Sequence, residues 1–125
     1  MTVDEIRLAL PAVPEYARIA RLTVAGLATR IGFTYDEIED LRIAVGEACS
    51  ILLGDTGRTG TLTLTYEVAA DEISVAATGD FADHEAPDED TLALSAQILD
   101  AVVDEHELST DHTRVRLRKR RGDVR

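Results

Sequence analysis

An α+β fold, a two-layer sandwich with helices on one face of a mostly antiparallel sheet, is predicted by three observations on this sequence. Stretches in which apolar and polar residues alternate with period two occur at both ends of the chain and in its middle. Stretches with apolar residues three and four apart separate them, giving the order strand, helix, helix, two strands, helix, two strands. Each strand has a single apolar face, which agrees with one helical layer and one wetted side.

The first strand is read from Ile6, Leu8 and Leu10, which alternate with Glu5, Arg7 and Ala9. Pro11 and Pro14 end it, and Pro14 suits the first position of a helix running to about Ile31. That helix has apolar residues on two sides, Ile19, Leu22, Leu27 and Ile31 on one and Tyr16, Ala20 and Val24 on the other. Either both sides are core, or one packs on the sheet and the other on a partner. Gly32 closes it.

The second helix, from Thr34 to about Gly54, organises the chain because both of its ends are written into the sequence. Thr34 is a natural N-cap, Glu37 completes a capping box, and Phe33 with Ile38 can form the hydrophobic staple. Asp36 and Glu37 complement the helix dipole, and Gly54 is placed to end the helix in the left-handed conformation. Ile38, Leu41, Val45, Ala48 and Leu52 make one buried stripe, with Glu47 at its edge.

After the polar loop GDTGRTG, Leu62, Leu64 and Tyr66 alternate with Thr61, Thr63 and Thr65. Ile73, Val75 and Ala77 repeat the pattern beyond a turn near Asp71, so the two segments form a hairpin. Gly79 to Asp90 reads as an acidic loop, and Leu92, Leu94, Ile98, Leu99 and Val102 mark a third helix. Two short strands, about 105–109 and 112–119, close the chain through the turn residues Thr110 and Asp111.

With 125 residues the chain makes one compact domain, read as residues 1–119 with a basic C-terminal tail at 120–125. Hydrophobic residues at 45% and charged residues at 30% argue against disorder. No apolar run reaches the length of a membrane span and no charged-then-apolar leader opens the chain, so no membrane partner is expected. The single cysteine, Cys49, excludes an internal disulfide framework and suits a reducing cytoplasm; in an apolar helix it reads as a small core residue. His84, His106 and His112 have no ligand spacing among themselves or with Cys49, so no metal site is expected.

Net charge is −11 and unevenly placed. Arg114 to Arg125 holds seven basic residues and one acid, leaving six basic and 23 acidic residues, −17, on the rest. An acidic body favours a basic protein partner over direct nucleic-acid binding. Arg114, Arg116 and Arg118 alternate with Val115 and Leu117, which reads as a strand with one wet face.

The run VPEYARIARLTVAGLATRIGFTYDEIEDLRIAVGEAC, from Val13 to Cys49, resembles the anti-sigma factor/serine-protein kinase family of bacterial stress and sporulation switches (the RsbW and SpoIIAB type). These are built on the GHKL histidine-kinase-like ATPase fold, and the element order agrees. The resemblance implies a homodimer that binds a sigma factor, uses Mg-ATP, and phosphorylates a STAS-domain anti-anti-sigma factor. It also implies that Glu47 stands at the general-base position and that Arg21, with Arg18 and Glu15 one turn before it, lies on the partner-binding surface.

The nucleotide boxes depart from the family pattern. In the family E-x-x-x-N, Glu47 is kept but Ile51 stands where an asparagine would hold Mg²⁺, and a hydrocarbon cannot ligate a cation that demands oxygen. The family D-x-G-x-G reads A-T-G-D-F here: Ala77 replaces the adenine-binding Asp, Phe81 the second Gly, and only Gly79 is kept. The helix that in the family opens on a glycine-rich phosphate nest has no glycine in LALSAQIL, and five acids precede it from Asp83 to Asp90. The expectation is an anti-sigma factor with no cofactor and no kinase activity. The alternatives are a working kinase with a diverged site and a dimeric scaffold that has lost its sigma factor.

Overall fold

The computed structural model describes residues 3–83 and 85–122. Strand β1 (Asp4–Pro11) leads through a 3₁₀ turn (Pro14–Tyr16) into helix α1 (Ala17–Arg30) and then helix α2 (Tyr35–Leu53). The hairpin β2 (Gly60–Val68) and β3 (Glu72–Phe81) follows, then helix α3 (Glu89–Val102) and the hairpin β4 (Glu105–Leu108) and β5 (Arg114–Arg120). The five strands form one antiparallel sheet in the order β1-β2-β3-β5-β4. The α+β class and the element order agree with the sequence reading.

The inner face of the sheet carries Leu62, Leu64, Tyr66, Ile73, Val75, Ala77, Val115 and Leu117, all buried. Register explains the alternation: Leu64 lies opposite Ala77 and Leu8, and Ala77 opposite Val115. Thr63, Thr65, Ala76 and Thr78 face the other way. Above this layer α1 contributes Ala17, Ala20, Val24 and Ala28, small side chains that let helix and sheet approach closely. Tyr66 crosses the layer and donates its hydroxyl proton to the carbonyl of Ala20 at 2.9 Å, so a polar group under the helix is satisfied.

The capping box of α2 forms as its spacing requires, with Glu37 N–H donating to Thr34 Oγ1 at 3.2 Å and Thr34 N–H to Glu37 Oε1 at 2.8 Å. The other oxygen of Glu37 accepts from the Gly122 N–H at 2.6 Å, and the Arg121 guanidinium donates to the Ile31 carbonyl at 2.8 Å. Residues 121 and 122, within the basic tail of the sequence reading, therefore tie the end of β5 to the α1–α2 turn. Asp123, Val124 and Arg125 lie outside the described residues.

Several expectations need correction. β3 runs on to Phe81, paired with Gly60, so the acidic connection is shorter than the span from Gly79 to Asp90. Leu94 is 59% exposed and Ser95, 2% exposed, takes the inward position on α3. β4 stops at Leu108 and β5 starts at Arg114, because Asp111 gathers bonds from Ser109 Oγ and from the N–H and hydroxyl of Thr113, and β5 runs on to Arg120. Gly54 has φ 66° but ψ −166°, an extended glycine conformation in place of the left-handed one. Of the two faces of α1, the Ala20 and Val24 side enters the core, while Ile19 (41%) and Leu22 (57%) stay exposed.

Burial raises the Glu37 carboxyl, but hydrogen bonds from Thr34 and Gly122 outweigh it and hold the group below its usual value. Its stabilising contribution is present above the carboxylate range and is lost as pH falls through the lowered folded value. Glu37→Ala is expected to cost about 1–2 kcal/mol at neutral pH. Thermal melts should show that deficit shrinking below about pH 4, where the wild-type carboxylate is also protonated.

Candidate functional site

The C-terminal half of α2 and the far end of β3 bring the nucleotide-box positions together. Glu47 is half-buried at the edge of the α2 stripe, and its Oε1 accepts the Ser95 hydroxyl of α3 at 2.6 Å. One turn on, Ile51 is 6% exposed and belongs to the hydrophobic core. Its side chain offers no oxygen toward the cleft.

On β3, Ala77 is fully buried between Leu64 and Val115, and Thr78 points to the opposite face of the sheet. Beyond it, Phe81 folds back over Gly79: a Cβ built there would sit 2.2 Å from the ring carbons. Only glycine leaves room for this ring. The Arg58 guanidinium also lies over this ring, 4.2 Å from its centroid, a cation–π contact. Arg58 also donates to the Leu52 carbonyl at the end of α2 and to the carboxylate and carbonyl of Asp83. The loop between β2 and α2 thus sends one cation across the end of the sheet, and it holds the acidic connection in place.

What remains beside Phe81 is a cavity of about 130 Å³, bordered by Arg58, Asp83, Glu85, Asp111 and His112. Ligand pockets usually run to about 300–1,000 Å³. Its walls carry several carboxylates against one arginine, and the Ser109 and Thr113 hydrogen bonds draw Asp111 down to about 2, so that group stays charged. A triphosphate would meet repulsion there. The first turn of α3 carries Glu89 and Asp90 with Asp88 as N-cap, so carboxylates already occupy the positive end of its dipole.

The partner-surface candidates lie apart from this cleft. Glu15 and Arg18 are exposed on the 3₁₀ turn and the start of α1. Arg21 is half-buried, a correction to its expected exposure, because its stem crosses onto α2; a Cβ at Gly46 would lie 3.2 Å from Arg21 Cδ. Around it Tyr16, Ile19 and Leu22 are exposed. Cys49 is buried beneath, and burial pushes its thiol up to about 11 against the opposing charge of Arg21. It is a protonated core residue.

His106 Nε2 lies 2.5 Å from Asp100 Oδ1, His112 sits in the β4–β5 turn, and His84 lies outside the described residues. Among the described residues no group of His, Cys, Asp and Glu has the geometry to hold a metal ion. No helix there is long and apolar enough to cross a membrane. Sequence reasoning missed Arg58 and Ser95. A lone cation in a polar loop and a serine amid apolar helix positions were the only signals, and neither names a distant partner.

No protein-family model matches the chain. It is 44% identical over 79 residues to the serine-protein kinase RsbW of Bacillus pumilus, covering 59% of this chain and 49% of that protein. Against the serine-protein kinase RsbW of Bacillus subtilis the identity is 42% over 92 residues, 70% of this chain and 58% of the relative. The RsbW of Halalkalibacterium halodurans is 40% identical over 78 residues, 60% of this chain and 47% of the relative. The chain spans about half the length of the curated relatives it matches. Over these stretches the chain is similar in sequence to the RsbW serine-protein kinases, in keeping with the resemblance carried by Val13 to Cys49.

Proposed function

We propose that this chain is an anti-sigma factor that sequesters an alternative sigma factor by direct binding, without nucleotide and without kinase activity. The observation that carries this reading is the filling of the cleft at the end of β3, where Phe81 covers Gly79 and Arg58 closes over the ring. With Ile51 buried where an oxygen ligand would stand and Ala77 buried where a carboxylate would meet adenine, the residues present do not fit Mg-ATP. Sigma factor would be released by competition from a STAS-domain anti-anti-sigma factor, and the chain would act as a cytoplasmic homodimer.

The alternative is an active serine/threonine-protein kinase that phosphorylates the STAS-domain protein. Retention of Glu47 and similarity to proteins named serine-protein kinases favour it. Calorimetry with Mg-ATP separates the two. We expect no site tighter than about 1 mM, and a micromolar site would overturn the nucleotide-free reading.

The partner surface in this reading is the exposed side of α1, with Glu15, Arg18 and Arg21 around Ile19 and Leu22. An apolar stripe edged by charge suits a protein contact, and the planar guanidinium of Arg21 can hold a carboxylate bidentately. Arg21→Glu should weaken capture of the cognate sigma factor by about 2 kcal/mol, near thirtyfold, in titration calorimetry. Because the Arg21 stem packs on Gly46, the same change should also cost about 1 kcal/mol of folding stability, whereas Arg18→Glu should stay within about 0.5 kcal/mol. A folded Arg21→Glu protein with undiminished affinity would remove Arg21 from the interface.

A further inference from the structure

We propose that Glu47 and Ser95 form a clamp that holds α3 on α2, so that the carboxylate kept at the general-base position serves to position a helix. The inference rests on the nucleotide-free reading and says what took over that carboxylate. Apart from the Tyr66 phenol and the Cys49 thiol, Ser95 is the only buried polar side chain among the described residues, 2% exposed in the middle of the inner face of α3. Leu92 three residues before it and Leu99 four residues after it face the same way, while Leu94 points to solvent. Val102 continues that stripe and Val103 follows in the core, so a hydroxyl sits at the centre of the apolar face that holds α3.

A serine there is costly unless its hydroxyl is bonded. At 2.6 Å the contact with Glu47 Oε1 has the short separation of a hydroxyl donating to an ionised acceptor, stronger than a neutral pair. Each partner needs the other. Without Ser95 a half-buried carboxylate loses its donor, and without Glu47 a buried hydroxyl loses its acceptor. With the hydroxyl in place, Oε1 faces a side chain of its own protein.

Hydrogen exchange on the full chain tests the clamp, using Ser95→Ala, Glu47→Ala, Glu47→Gln and the double alanine variant, each with and without Mg-ATP. Peptides from Glu89–Val102 should exchange about tenfold faster in either alanine variant, while peptides from β1 and β2 keep the wild-type rate. The double variant should be no faster than the worse single one, because both remove the same bond. Glu47→Gln, which keeps an acceptor oxygen, should stay closer to wild type than Glu47→Ala. Unchanged exchange in α3, or additive effects, would overturn the clamp; should Glu47→Ala fail to fold, Ser95→Ala, which removes one oxygen atom, decides alone. Protection of wild-type α2 and α3 by Mg-ATP would instead overturn the nucleotide-free reading, whatever the variants do.

Discussion

Helix α2 buries eight side chains between Leu41 and Leu53, with α1 along one side, α3 along another and the β3 and β5 strands beneath. Burial on that scale fixes the helix only if its ends are satisfied, since the first N–H groups of a helix have no partner within it. Glu37 meets that need and more. One oxygen closes the capping box and the other takes the Gly122 N–H, so the start of α2 and the end of β5 share one carboxylate. Lys119 extends the same tie, donating to the Val102 carbonyl at the end of α3 and to Asp40 of α2. The last strand thus joins two helices through Lys119, which continues the face of the core positions Val115 and Leu117.

The elements of this fold were legible because each depends on local rules. Period two marked β1, β2, β3 and β5, and the capping box marked α2 to the residue. What local rules do not contain is neighbourhood. β1 pairs with β2 across two intervening helices, and β5 lies between β3 and β4, arrangements set by which apolar faces cover one another. The misplaced Leu94 has the same origin. Helical spacing allows several faces, and the face that turned inward on α3 is the one whose serine meets Glu47.

The candidate site was legible as a set of losses and opaque as a set of replacements. Ile51, Ala77 and Phe81 could each be read as a group that cannot do the family chemistry. That they act together is a fact of packing. Ile51 and Ala77 lie in one core, Phe81 covers the glycine two residues beyond Ala77, and Arg58 reaches from a separate loop to the ring, to Leu52 and to Asp83. A site that binds ligand must leave space and unsatisfied polar groups, both of which weaken a small domain. In the nucleotide-free reading proposed above, filling the space with a ring and pairing the carboxylate with a serine removes both weaknesses, so Phe81 and Ser95 support one another.

Helix α2 bears on the other surface as well. Arg21 lies across α2 over Gly46, where an added Cβ would come within 3.2 Å of its Cδ, although a glycine within a helix is itself unfavourable by about 1 kcal/mol. A cation whose stem is already held by a neighbouring helix loses less rotamer freedom when a partner takes its guanidinium. Ile19 and Leu22 beside it are exposed, on a chain whose net charge is −11. In the proposed function α2 therefore serves both ends of the molecule. Its C-terminal half supports the closed cleft, and its glycine supports the arginine through which a partner would be held.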